Sequence, residues 1–118
     1  MGTKIQLHFG DTVISATLND STAAKEFLKR LPCTIHASRY DFDICGVLEK
    51  PLPRIKEEIV TGWHNGDISF DGTYFTILFG HEEESASYGQ YANLGAVDCS
   101  MSQMEELHGS YDILIELA

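Results

Sequence analysis

Ile5-Gln6-Leu7-His8-Phe9-Gly10-Asp11-Thr12-Val13-Ile14-Ser15-Ala16-Thr17-Leu18 reads as two short strands and a turn. In the first strand Ile5, Leu7 and Phe9 alternate with Gln6 and His8; in the second Ile14, Ala16 and Leu18 alternate with Val13, Ser15 and Thr17. Successive side chains of a strand point to opposite faces, so each strand has one face fit for a core. Gly10-Asp11 can supply the positive backbone angles of a tight hairpin, which predicts antiparallel pairing. Downstream, Asn19, Asp20 and Ser21 offer oxygens to the free N–H groups of a helix start. Ala24, Phe27, Leu28 and Leu31 follow at helical spacing and form one apolar stripe, while Lys25, Glu26, Lys29 and Arg30 face water. Pro32 stops the pattern, because proline disfavours helical geometry in the residue before it. The prediction is a helix over Ser21 to Leu31 that caps a sheet.

Most of the remaining chain is strand-like. Thr34 to Tyr40 and Phe42 to Leu48 read as two strands; then Pro51 and Pro53 break the pattern, and Ile55 to Val60 reads as a loop or a single helical turn. Ile68 to Phe70 and Tyr74 to Phe79 flank Asp71-Gly72, a hairpin signal. His81 to Gln90 is polar and reads as a long surface loop, Leu94 to Cys99 as a strand, and Ser102 to His108 as a short helix closed by Gly109. Tyr111, Ile113, Ile115 and Leu117 alternate along a last strand. A chain of 118 residues suits one domain, 1–118. About eight short strands in so small a unit predict a mainly β, closed eight-stranded barrel, since closure removes exposed sheet edges. The two helices then cap its two open ends. Ile5, Leu7, Phe9, Ile14, Leu18, Phe27, Leu28, Ile77, Ile113 and Ile115 are the expected core.

The formal net charge of −10 argues against nucleic acid and against anionic membranes, both of which are held through lysine and arginine. No apolar leader or long apolar run marks secretion or a membrane span, which leaves a cytoplasmic location as the expectation. Three widely spaced cysteines, Cys33, Cys45 and Cys99, fit neither a disulfide framework nor a zinc knuckle, and read as reduced, mostly buried thiols. The five histidines lack metal-ligand spacing; in Cys33-x-x-His36 the two side chains would point to opposite faces of a strand. Serine-hydrolase, phosphate-loop and dinucleotide motifs are absent, so no metal, cofactor or catalytic residue is assigned.

Ile5-Gln6-Leu7-His8-Phe9-Gly10-Asp11, Ala16-Thr17-Leu18-Asn19-Asp20, Phe27-Leu28-Lys29-Arg30-Leu31-Pro32, Asn65-Gly66-Asp67-Ile68 and Ile77-Leu78-Phe79-Gly80 together resemble the cyclophilin-like family of small bacterial and archaeal proteins, over nearly the full chain. Leu94-Gly95-Ala96-Val97 with Met101, Met104 and Leu107 is similar to the strand and helix near the C-terminus of true cyclophilins. The resemblance implies a cyclophilin-like barrel. It also implies that prolyl isomerisation would need an arginine beside an apolar pocket, where hydrogen bonding weakens amide resonance. The family's Phe-His-Arg segment and its Met-x-Gln-Gly-Gly partner strand do not follow the first helix, and Arg39 is preceded by Ala37-Ser38.

A ligand site is therefore expected between the strand carrying Arg39 and the loop His81 to Gln90, formed by Arg39, Tyr40, Phe79, Tyr88 and Tyr91. Aromatic rings with usable hydroxyls suit a shallow pocket for a peptide segment or a small molecule, and acidic neighbours favour a neutral or cationic one. The leading reading is a non-catalytic binding module. A weak peptidyl-prolyl isomerase and an oligomer-forming structural domain are the alternatives, and the sequence does not set the oligomeric state.

Overall fold

Thr3–Phe9 (β1) and Thr12–Leu18 (β2) pair antiparallel, with Ile5 opposite Ala16 and Leu7 opposite Ile14, so the two apolar faces coincide. Gly10 makes the turn at φ 61°, a value glycine adopts without strain. The computed structural model describes residues 2–118. After the hairpin come a helix, Thr22–Lys29 (α1), and the strands Cys33–Arg39 (β3), Asp43–Val47 (β4), Ile59–Thr61 (β5), Asp67–Phe70 (β6), Tyr74–Leu78 (β7) and Gln90–Val97 (β8). A second helix, Met101–Glu105 (α2), leads into Ser110–Leu117 (β9). Neighbours run β2-β1-β9-β3-β4-β7-β6-β8, and β8 returns to β2, which closes an eight-stranded antiparallel barrel. Among the described residues no helix is long and apolar enough to cross a membrane.

The connections place the helices at opposite ends of the barrel. α1 leaves the end of β2 and enters the start of β3, whereas α2 joins the end of β8 to the start of β9. Ser21 caps α1 by accepting from the Ala24 N–H at 3.1 Å, and Glu58 reaches across to accept from the Thr22 N–H at 2.9 Å. The helix stops at Lys29, short of the expected Leu31, because the last N–H groups turn back to carbonyls three residues away. Its buried face is Ala23, Ala24 and Phe27, and the Phe27 ring stacks on Phe75 of β7 at 5.4 Å. Ser100 caps α2 through the Gln103 N–H, and Met104 and Leu107 fill the other end.

Nine of the ten expected core residues are buried; Leu28 lies half-buried on the flank of α1. Three elements differ from the sequence reading, one of them a 3-10 helix at Glu82–Ser87 inside the stretch His81 to Gln90 expected as a surface loop. β8 begins at Gln90 rather than near Leu94, because Gln90 is exposed at its start and Tyr91 and Asn93 lie on the outer face, which hides its alternation. β5 is a ninth strand, where a loop or helical turn was expected; a 3-10 turn at Lys56–Glu58 precedes it. It occupies the edge of β8 over Gln90 to Ala92, and β2 takes the same edge over Gly95 to Val97. Asn19 bridges the joint by donating to the Asn93 carbonyl and side-chain oxygens, each at 2.9 Å.

Candidate functional site

β3 and β4 are the least paired neighbours in the barrel. Their register covers Ser38 opposite Cys45 and Arg39 opposite Ile44, whereas β3 pairs with β9 from Cys33 to Ser38. The ladder stops where Gly46 passes the His36 carbonyl; a Cβ at position 46 would lie 2.0 Å from that oxygen. Beyond this point a groove of about 770 Å³ opens along the seam, lined by Thr34, His36, Tyr40, Cys45, Val47 and Tyr74 among others. Tyr40, Val47 and Tyr74 are exposed on its rim. A second cleft, of about 630 Å³, lies at the joint of β2 and β5, among Asn19, Glu58, Trp63, Asp67, Glu82 and Asn93.

The five residues expected to form one pocket fall in three places. Arg39 ends β3 and grips main-chain oxygens: Nη1 donates to the Glu105 and Leu107 carbonyls at 2.8 Å each, Nε to Tyr40 at 3.0 Å, and Nη2 to Asp41 at 3.3 Å. Its guanidinium also lies 4.8 Å from the centre of the buried Phe79 ring. Arg39 and Phe79 are thus brought together as a clasp on the carbonyl of Glu105, which ends α2 and lacks an intrahelical partner, and on that of Leu107 just beyond it. Tyr88 and Tyr91 are also brought together, both packed on Trp63, at 5.3 and 5.7 Å. Tyr40 stands apart from them on the groove.

Sequence reasoning missed Phe42 and His81 in the aromatic cluster. Phe42 stacks on Trp63 at 5.6 Å and meets Tyr88 at 5.6 Å and His81 at 4.5 Å. Phe42 read as a strand residue, and His81 lies in the left-handed backbone region, φ 61°, which no local pattern signals.

Electrostatics set what the groove can do. Burial, followed by the fields and hydrogen bond of Asp43 and the field of Asp71, pushes the Cys45 thiol up to about 12. Burial raises Cys33 and Cys99 as well, and all three thiols are free and half-buried, where mostly buried thiols were expected. Thiols in that condition are poor nucleophiles, since the thiolate is the reactive form. Burial first, then Asp71 and Asp43, raises the Tyr91 hydroxyl, so Cys45 and Tyr91 lie in the same negative field. Burial also raises the carboxyls of Asp43, near the groove, and Asp67, in the second cleft. Among the described residues no group of three or more His, Cys, Asp or Glu side chains is placed to hold a metal ion.

A sequence model of the Cyclophilin-like family matches residues 7–116. The chain belongs to the cyclophilin-like family. The solution structure of the hypothetical protein AF2241 from Archaeoglobus fulgidus superposes on this cyclophilin-like domain with a TM-score of 0.74, at 14% identity, covering 99% of this chain and 95% of that one. At that identity the likeness carries the fold alone. No curated protein matches the chain.

Proposed function

We propose that this cyclophilin-like domain is a non-catalytic module that binds a neutral or cationic peptide segment or small molecule in the β3–β4 groove. The observation that carries the reading is the groove itself, an open channel with exposed Tyr40, Val47 and Tyr74 beside the fields of Asp43 and Asp71. Aromatic rims supply apolar area with few rotors to freeze, and carboxylates near the channel favour positive charge. Of the expected ligand residues, Tyr40 belongs to this groove. Tyr91 shares its negative field from the outer face of β8, with Tyr88 packed beside it on Trp63.

Isomerase chemistry is disfavoured by the use made of the arginines. Arg39 is engaged as described; Arg30 donates to the Lys50 and Pro51 carbonyls, and Arg54 to those of Phe70 and Gln90. These are all three arginines of the chain. A guanidinium tied to main-chain carbonyls is not placed to polarise a substrate amide. The test is a thermal-shift screen of capped tetrapeptides and small amines, repeated on Val47→Asp. A ligand that binds only the folded state raises the melting temperature, and groove ligands should lose that shift in the variant. Hits that bind Val47→Asp unchanged would contradict the reading. Gel filtration of the unliganded protein tests the oligomer alternative, in which a second copy covers the same rim.

A further inference from the structure

One wall of the groove continues under cover. On the outer face of the barrel Ser38 lies opposite Cys45, Cys45 opposite Thr76 and Thr76 opposite Ser69, so small polar side chains run in one row across β3, β4, β7 and β6. Their chain neighbours Ile44, Phe75, Ile77, Ile68 and Phe70 point the other way, into the core. Ser38 and Cys45 line the groove. Thr76 and Ser69 lie just beyond it, 4% and 1% exposed, and neither hydroxyl has a hydrogen-bond partner among the described residues. Each has given up water without a replacement, which is costly for two groups side by side in one wall. Strands β6 and β7 separate β8 from β4, and the Tyr91 hydroxyl on β8 still lies in the field of Asp43 on β4. The Tyr91 side chain therefore leans across the outer face of β6 and β7, over Ser69 and Thr76.

We propose that Thr76 and Ser69 form a closed end of the groove that takes a neutral carboxamide, carried by a small molecule or by an asparagine or glutamine side chain, when Tyr91 swings aside. This deepens the groove reading above and rests on it. A hydroxyl both donates and accepts, and a carboxamide offers an amide donor and a carbonyl acceptor in one plane, so the two hydroxyls and the ligand satisfy each other. Neither ion does as well. A carboxylate meets the fields of Asp43 and Asp71, which reach both Cys45 and Tyr91. An ammonium exchanges its water for two uncharged hydroxyls, because Asp43 already accepts from the Cys45 thiol and lies in the opposing field of Arg39. Charges along the groove add no preference, with Arg30, Lys50 and His36 set against Glu49 and Asp112. The apolar remainder of the ligand rests on Val47 and Tyr74, which face each other in the next outward row of β4 and β7 and are exposed.

The experiment is a nuclear magnetic resonance titration of the ¹⁵N-labelled protein with hydrocinnamamide. Three relatives of the same length accompany it: hydrocinnamate, phenylpropylamine, and benzylacetone, which keeps the carbonyl and lacks the amide donors. The proposal expects amide shifts at Cys45, Ser69, Thr76 and Tyr91 as well as at Val47 and Tyr74. Binding should be weaker by about tenfold or more for the two ions and by about fivefold for the ketone. Thr76→Val keeps the shape of the side chain and removes one hydroxyl. It should weaken carboxamide binding by about fivefold and leave the melting temperature of the free protein unchanged or higher, since the lost hydroxyl had no partner. A lower melting temperature shows that the hydroxyl is already satisfied and overturns the proposal. So does equal affinity for either ion, or carboxamide binding that Thr76→Val leaves unchanged; if Val47 and Tyr74 still respond, the groove reading survives. Shifts confined to the Asp67 and Glu82 cleft overturn both the proposal and the groove reading. If no compound moves any signal, the carboxamide site is wrong, and the groove reading stands or falls on its own thermal-shift screen.

Discussion

Replacing Arg39 by alanine separates a structural clasp from a catalytic group. Nη1 alone holds the Glu105 and Leu107 oxygens at 2.8 Å, so the substitution leaves the end of α2 without its partner and uncovers Phe79. Hydrogen bonds to a charged group contribute about 1.5–3 kcal/mol each when well desolvated. Most of these bonds are open to water, and the freed carbonyls can be hydrated. The ring contact adds about 0.5–1 kcal/mol. The expected loss is therefore roughly 2–4 kcal/mol in total rather than the sum of four full bonds. With a urea dependence of about 1–3 kcal/mol/M, the unfolding midpoint should fall by roughly 1–2 M. Hydrogen exchange at Met104 to Leu107 should quicken more than in the β1–β2 hairpin. Arg39→Lys should recover less than half of the loss, because an ammonium cannot span four carbonyls from two segments as the planar fork does. A midpoint within about 0.2 M of wild type, with exchange in α2 unchanged, would refute the clasp.

Phe27→Ala removes a fully buried ring stacked on Phe75 and should cost about 3–5 kcal/mol, read from the denaturation midpoint; a near-neutral result would mean that α1 does not seal its end of the barrel. Cys45, held up to about 12, should alkylate far more slowly at pH 8 than an unfolded thiol and quicken only in strong alkali, as followed by mass spectrometry; rapid modification at pH 8 would show that the thiol is not shielded. The Asp67 carboxyl is raised by burial, so the folded state holds its proton more tightly than the unfolded chain does. That contribution is full below the unfolded value and is lost as pH rises through the folded one. Asp67→Asn should flatten this fall in urea titrations across the acidic range, and an unchanged slope would show that the burial is overstated.

The hairpin and the first helix could be read because their signals are local. Alternation in Ile5 to Phe9 and Ile14 to Leu18, the Gly10-Asp11 turn and the Ser21 cap each act within a few residues. β5 could not, because three residues carry no period and its pairing is decided by β8, some thirty positions on. The start of β8 was hidden for a related reason: its outward residues are polar, and its inward ones, Ala92 and Leu94, are few. At the site, residue types were informative and partners were not. Tyr40 is exposed on the rim of a groove. The work of Arg39 depends on carbonyls about 65 to 70 positions away, at Glu105 and Leu107, which only the closed barrel brings near. The groove itself arises from pairing that stops at Gly46, and no residue pattern announces where a ladder ends.

The most direct test of a binding groove without catalysis is to map, by amide shifts, where the best ligands from the thermal-shift screen bind. The account predicts that they perturb Thr34 to Tyr40, Cys45 to Val47 and Tyr74, and that they leave the Glu58, Asp67 and Glu82 cleft unmoved. Perturbation centred on that cleft, with the β3–β4 groove silent, would contradict it.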